Sequence, residues 1–266
     1  MKHVTIFFDL EAPFLWKDEP KFDLEEALRN IDEILQRFGA KAVFNTCGIL
    51  ASKFPKSIAL LHDEGHEIAS HGYAHENFLN VSATKLDDLL AKTEQVLQGV
   101  TGEKPLGIRT PWLVRNEEIY DVLRKRNYGW TSNWQVPFWA TKSRVDLGAT
   151  SYARWMLGRV LYGIKRFSRK EKPFRVGSLL EIPLLSPMDI YCIYPFPQAE
   201  KNSPESSLEE AYSILVEHYK HSEEYFNLNF HEHIIGTANR VWLLEKTLEY
   251  LSAKSDVRFI LPHQLS

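Results

Sequence analysis

Short runs of β-branched and aromatic residues alternate with amphipathic helical stretches along nearly the whole chain. That alternation limits the fold more than any other feature. HVTIFFD reads as a buried strand ending at Asp9. FDLEEALRNIDEILQRFG follows, with Leu24, Leu28, Ile31, Leu35 and Phe38 at helical spacing; Asp23 is its N-cap, Glu26 stands three residues on, and Gly39 is its stop. KAVFNT, HEIAS, LGIRT, YGWTS, SLLEIP and YFNLNFH supply further strands. Helices are expected after Pro55, Ser82 and Asn116, across SSLEEAYSILVEHYKH, and from Thr237 to the neighbourhood of Ala253, before a terminal VRFIL. Strand and helix in alternation imply parallel strands joined by crossover helices. Seven or eight such units suit a closed or nearly closed barrel better than an open sheet.

Chemistry-bearing residues fall at the ends of these strands. Asp9 and Glu11 follow the first, His71 and His75 the third, and Arg109 the fourth; Glu181 lies at the sixth and His231 ends the seventh. In a parallel barrel all of these positions lie on the C-terminal rim, where such folds build active sites. The pair in SHGYAHENF can converge on one metal ion, although spacing alone also fits two surface or capping histidines. His62 and His66, in a helix-to-strand turn, read as solvated, and Cys47 as a buried apolar thiol.

Composition narrows the alternatives. With 44% hydrophobic and 25% charged residues in 266, a sizeable core can form. A net charge of −3 gives no support for a nucleic-acid partner. Cys47 and Cys192 are the only cysteines, so no disulfide framework exists and a reducing compartment is expected. MKHVTIFFDL reaches an acidic residue too early for a signal peptide, and no later run approaches a membrane span. The expectation is a cytoplasmic protein with one domain over residues 1–266. No glycine-rich phosphate loop and no Gly-x-Ser-x-Gly elbow is present, which argues against nucleotide transfer and serine hydrolysis.

Four segments, taken in order, resemble the motifs of the polysaccharide deacetylase family, also known as the NodB homology domain or carbohydrate esterase family 4. They are FFDLE at Asp9 and Glu11, SHGYAH at His71 and His75, RTPW at Arg109 and Trp112, and LNFHEH at His231. The resemblance implies an irregular (β/α)7 barrel and a metal-dependent N-deacetylase. It makes Glu11, His71 and His75 ligands of a divalent metal, zinc first, with iron, nickel, cobalt or manganese as alternatives. Asp9 becomes the general base, and His231, preferred over His233, the acid that protonates the departing amine. Arg109 would orient Asp9 through a bidentate contact. A backbone N–H near Tyr73 or Ala74 would help to hold the developing oxyanion, and Trp112, Tyr73 and Glu181 would contact substrate.

The pattern departs from the family in two places. Leu10 separates Asp9 from Glu11 where members commonly have adjacent aspartates; alternate strand residues share a face, so both can still point into the rim. The motif of acidic residues near a tryptophan is not clear, and Glu181 or Asp189 stands in for it, with Glu181 a candidate partner of Arg109 or His231. The implied substrate is a saccharide or sugar phosphate, soluble or lipid-linked, since the family includes enzymes acting on polyprenyl-phosphate sugars. The alternatives are an amidohydrolase of a non-sugar amide or ureide on the same scaffold, a deformylase of a polyprenyl-phosphate-linked sugar, or a non-catalytic carbohydrate-binding role.

A basic amphipathic insertion is expected over about residues 140–176. From Arg144 to Arg175 it holds nine Lys or Arg against two acids, with Trp155, Met156, Val160, Ile164 and Phe167 forming an apolar stripe. Such a stretch, 150–172 above all, can contact a membrane surface or a lipid-linked substrate, or simply pack on the barrel with a solvated basic face.

Overall fold

Inward and outward residues alternate strictly along the first strand, and that parity organises the molecule. The structure, a computed structural model, describes residues 1–11, 22–135, 172–189 and 204–265. Strand β1, Lys2–Leu10, sends Val4, Ile6, Phe8 and Leu10 into the main hydrophobic core beneath the helices. Phe7 faces the other way, into a second core with Val43, Ala69, Trp130, Ile182 and Tyr225 inside the curled sheet. Period-two alternation therefore carries Asp9 to the same inner side as Phe7, two residues further along.

The remaining elements follow in βα order. Helix α1, Leu24–Arg37, is capped as expected, with the Asp23 carboxylate accepting from Glu26 N at 3.1 Å. Strand β2, Val43–Thr46, leads to the short helix α2, Gly48–Lys53, which the sequence pattern did not indicate. Helix α3, Pro55–Asp63, strand β3, Glu67–Ser70, and helix α4, Ala83–Thr101, come next. Strand β4, Gly107–Ile108, helix α5, Glu117–Lys125, and strand β5, Trp130–Thr131, complete the first half. Strands β6, Phe174–Val176, and β7, Leu179–Glu181, form an antiparallel pair. Then come helix Pro204–His221, strand β8, Tyr225–His231, helices Glu232–Ile235 and Val241–Ser252, and strand β9, Val257–Phe259.

The sheet order is β6-β7-β5-β4-β3-β2-β1-β8, with β9 added to β1. All pairings except β6 with β7 are parallel. This is a curled α/β half-barrel; the strand–helix alternation predicted its parallel strands and crossover helices, and favoured a closed or nearly closed barrel. At the end of the expected insertion, Phe174–Val176 is a strand turning back on β7. Residues 136–171 lie outside the described residues, as do Trp155 to Phe167 and Cys192.

Between β7 and β8 the curl is drawn together by side chains rather than a ladder. Asn227 donates to the Pro183 carbonyl at 2.7 Å and accepts from Leu185 N at 2.8 Å. Asn229 donates to the Ser186 carbonyl and hydroxyl, beside one isolated Met188–Asn229 bridge. Asn227, Asn229 and His231 are the inward members of YFNLNFH, while Phe226, Leu228 and Phe230 enter the main core. His66 corrects the sequence reading: it is buried, Nδ1 accepting from Ala42 N and Nε2 lying 2.9 Å from Asp32.

Among the described residues no helix is long and apolar enough to cross a membrane.

Candidate active site

Register places the chemistry at one end of the sheet. Asp9 is paired with Asn45 on one side and His231 on the other. His71 and Arg109 follow β3 and β4 directly, with Arg109 N bonded to the Ser70 carbonyl. Five strand ends thus deliver side chains to the same rim.

Glu11, His71 and His75 form a buried group whose ligand atoms all lie within 4.8 Å of one another. Glu11 Oε2 is 2.6 Å from His75 Nε2 and 3.4 Å from His71 Nε2. His71 Nδ1 lies 2.8 Å from the Arg109 carbonyl. A proton on Nδ1 serves that bond, so Nε2, which meets Glu11 in this structure, is the nitrogen that could give its lone pair to a cation once deprotonated. The histidines converge through a turn, not a helix: Gly72 and His75 both have positive φ, 73° and 59°, and the rings sit 5.1 Å apart. A Cβ on Gly72 would come within 3.3 Å of Phe78 and Glu76. Burial opposes the charge on Glu11, but hydrogen bonds from both histidines hold its carboxyl well below the usual range. Two imidazoles and one carboxylate, buried and convergent, are a donor set that fits a divalent cation. His75 Nδ1 is buried and has no hydrogen-bond partner among the described residues, which leaves that ring's Nε2 as the nitrogen turned to the cluster.

Asp9 is held from two sides. Asn45 Nδ2 and Arg109 Nη1 both donate to its Oδ1, at 2.7 and 2.9 Å. Burial favours the neutral acid, yet Arg109, His71 and His231 together lower its pKa. The expected bidentate Arg109–Asp9 contact is corrected to a single one. The rest of the wholly buried guanidinium is bound elsewhere: Nε donates to the Ser132 carbonyl, and Nη2 to Ser132 Oγ and Asn229 Oδ1, at 3.2, 3.0 and 2.8 Å. A buried cation needs such partners at every donor.

His231 stands beside Asp9 in the β1–β8 register, its Nε2 3.8 Å from Glu11 Oε1. Its Nδ1 is 2.6 Å from Asp189 Oδ1, and its backbone N–H donates to Asp189 Oδ2 at 2.7 Å. Burial disfavours the imidazolium, but the charge and hydrogen bond of Asp189, with Glu11 and Asp9, outweigh it; the pKa is pushed up to about 10. Asp189, not Glu181, is therefore the carboxylate that serves His231. His233, the competing histidine, sits with its ring 5.4 Å from that of His231 and its Nδ1 3.6 Å from Glu232.

Trp112 stands at the mouth. It is 59% exposed, with its ring 5.1 Å from that of His75. It and Leu113 have φ of 62° and 54°, a left-handed pair unusual for bulky residues. Tyr73 is half-buried, its ring against Gly48 and under the Lys92 ammonium. The N–H groups of Tyr73 and Ala74 both donate to Glu76 Oε2, at 3.1 and 3.0 Å, so they are engaged rather than open to a substrate oxygen. Glu181 touches neither Arg109 nor His231. It is wholly buried, accepting from Asn133 N, Trp134 N and the Tyr120 hydroxyl, and burial pushes its pKa up to about 7. Cys47 is buried as expected, its thiol pKa driven up by burial and by Glu11.

Sequence reasoning did not single out Asn45, Ser132, Asn133, Asn229 or Glu232. Asn45 and Asn229 carried a signal, since each is a polar residue at an inward position of an otherwise apolar strand. Glu232, wholly buried, accepts from Glu11 N at 3.4 Å, and adjacency to His231 was its only clue.

Fold and site together define a class: an α/β half-barrel whose C-terminal rim carries a buried Glu–His–His group beside an aspartate and a carboxylate-bound histidine. Residues 2–130, just under half of the chain, match the family model described as polysaccharide deacetylase. The chain is 33% identical over 102 residues to a peptidoglycan-N-acetylglucosamine deacetylase of Bacillus cereus, a match covering 38% of this chain and 36% of that protein. It spans only about a third of the length of the curated relatives it matches. Among solved structures, a Mycobacterium smegmatis protein provisionally described as a polysaccharide deacetylase superposes with a TM-score of 0.71 at 19% identity, covering 96% of this chain and 85% of that one. The PuuE allantoinase superposes with a TM-score of 0.64 at 15% identity, covering 99% and 88%. These structural likenesses concern the fold alone.

Proposed function

We propose that this chain is a metal-dependent hydrolase that removes the acetyl group from an N-acetylated saccharide. The carrying observation is the convergence of Glu11, His71 and His75, with Asp9 and His231 neighbouring one another on β1 and β8 beside them. Glu11, His71 and His75 would hold the cation, zinc by preference. Such a cation supplies a water of lowered pKa and polarises the amide carbonyl. Asp9, ionised and fixed through Oδ1, takes the proton of the attacking water. Arg109 keeps that carboxylate charged and in place without reaching substrate. His231, protonated at rest and held by Asp189, delivers its proton from Nε2 to the departing nitrogen. Trp112 offers an exposed aromatic face to a sugar ring.

The name of the Bacillus cereus relative makes N-acetylglucosamine units the first substrate to test. Acetate release should be measured on N-acetylglucosamine oligosaccharides, peptidoglycan fragments and a lipid-linked N-acetyl sugar, with allantoin as the non-sugar comparison. Release from a saccharide, abolished in Asp9→Asn, supports the proposal. Turnover of allantoin alone would replace it with a non-sugar amidohydrolase.

A further inference from the structure

We propose that Asn133 and Glu181 form a buried clamp that positions the Trp112 turn over the Glu11–His71–His75 pocket, making both of them positioning residues for substrate binding. The substrate side of this inference rests on the reading of Trp112 as the sugar contact.

The clamp begins at β7. Glu181 Oε1 accepts the backbone N–H groups of Asn133 and Trp134, at 2.6 and 2.8 Å. Its Oε2 accepts from the Tyr120 hydroxyl of α5 at 2.8 Å. One wholly buried carboxylate thus ties the loop after β5 to the helix that follows the Trp112 turn.

Asn133 passes the hold onward. Its Oδ1 accepts from Thr110 N at 2.8 Å, and its Nδ2 donates to Thr131 Oγ1 at 2.7 Å. Its carbonyl accepts from Arg115 Nη1 at 2.8 Å, and the Arg115 guanidinium lies over the Trp134 ring. The segment Thr110–Val114 is therefore gripped at its first residue and just beyond its last. Thr110 Oγ1 closes it internally on the Val114 carbonyl at 2.6 Å. Inside that grip sit Trp112 and Leu113, both left-handed. Residues other than glycine persist in that conformation only where their surroundings over-determine it, and the clamp supplies this.

The base is held separately. Ser132 N bonds to the Ile108 carbonyl, and Ser132 O and Oγ take the Arg109 donors, without the Asn133 side chain. Loss of that side chain accordingly bears on Trp112 and not on Asp9, which separates substrate binding from the chemical step.

The test uses the full chain labelled with 5-fluorotryptophan, the Trp112 resonance being assigned by its loss in Trp112→Phe. Cobalt(II) alone, at one equivalent, serves as a paramagnetic probe of distance from the pocket. Asn133→Ala and Glu181→Ala are expected to move the metal-free Trp112 resonance and to change its cobalt-induced shift by about twofold or more, whereas Asn133→Asp, which keeps the acceptor for Thr110 N, and Glu181→Gln, which keeps one oxygen for the N–H groups of Asn133 and Trp134 and donates to the Tyr120 hydroxyl instead of accepting from it, restore both. KM for N-acetylglucosamine oligosaccharides should rise about tenfold in the alanine variants, with kcat within about twofold. Asn133→Ser carries the same test if an alanine variant does not fold. A folded alanine or serine variant with the wild-type Trp112 resonance and cobalt shift overturns the clamp. A displaced resonance in a protein whose wild type deacetylates no saccharide sustains the clamp and removes the functional reading instead.

Discussion

Asp9 is a carboxylate that burial alone would keep protonated, and three cationic or potentially cationic neighbours reverse that preference. Asp9→Asn removes the carboxylate proposed as the base while preserving shape and the Arg109 contact. Turnover should fall about 10²–10⁴-fold, with metal content by elemental analysis unchanged. His231 gives a prediction with a definite sign. Its folded pKa, about 10, stands above the ordinary value of 6.5. Its contribution to stability is therefore complete below pH 6.5 and is lost as pH rises through about 10. Thermal unfolding midpoints should fall between pH 7 and pH 10.5, and fall less in His231→Gln. Asp189→Asn removes the main charge that raises this pKa, so the alkaline limb of kcat/KM should move toward neutrality. An unmoved limb would assign it to another group. At this scale the sequence was legible where strand position and spacing agreed, as for His71, His75, Asp9 and His231. It was misleading for Glu181, because a strand-end carboxylate looks the same whether it faces the rim or binds neighbouring backbone N–H groups. The choice of Asp189 over Glu181 depends on how the chain bends after β7, and no local pattern encodes that bend.

At the scale of elements, period-two alternation in HVTIFFD and YFNLNFH set both the core and the site, since the parity that buries Phe8 and Phe230 turns Asp9 and His231 inward. Caps at Asp23, Ser82 and Asn116 were readable because each accepts from a backbone N–H inside the first turn of its helix. Two features were not readable: the left-handed turn at Trp112 and the antiparallel strand Phe174–Val176, whose pairing is set by tertiary contacts. Trp112→Gly should release backbone strain of about 1 kcal/mol while removing the exposed ring. The expected result is an equal or higher melting temperature together with a raised saccharide KM. Gly107 marks a close approach between strands, because a Cβ there would lie 1.8 Å from the Trp130 indole. Gly107→Ala should cost about 1–3 kcal/mol or more in urea unfolding, by displacing Trp130 from Phe7 and from its 2.6 Å bond to Glu67.

At the scale of the molecule, strand–helix alternation predicted a curled parallel sheet, but not how its two ends meet. The seam is made by Asn227 and Asn229, polar residues at inward positions of an otherwise apolar strand, which bond to the segment after β7. Curling brings Glu11, His71, His75, Asp9 and His231 to one mouth although they span more than two hundred residues of sequence. A cation bound there would link the β1 end to the loop after β3, so binding should stabilise the fold, by about 2.7 kcal/mol at a hundredfold excess over its dissociation constant. The most direct test is calorimetric titration of the tag-free, chelator-stripped chain with zinc. The account predicts one site per chain, lost in Glu11→Ala, His71→Ala and His75→Ala and retained in Asp9→Asn. Undiminished zinc binding by the Glu11 and His71 variants, or none by the wild type, would contradict it.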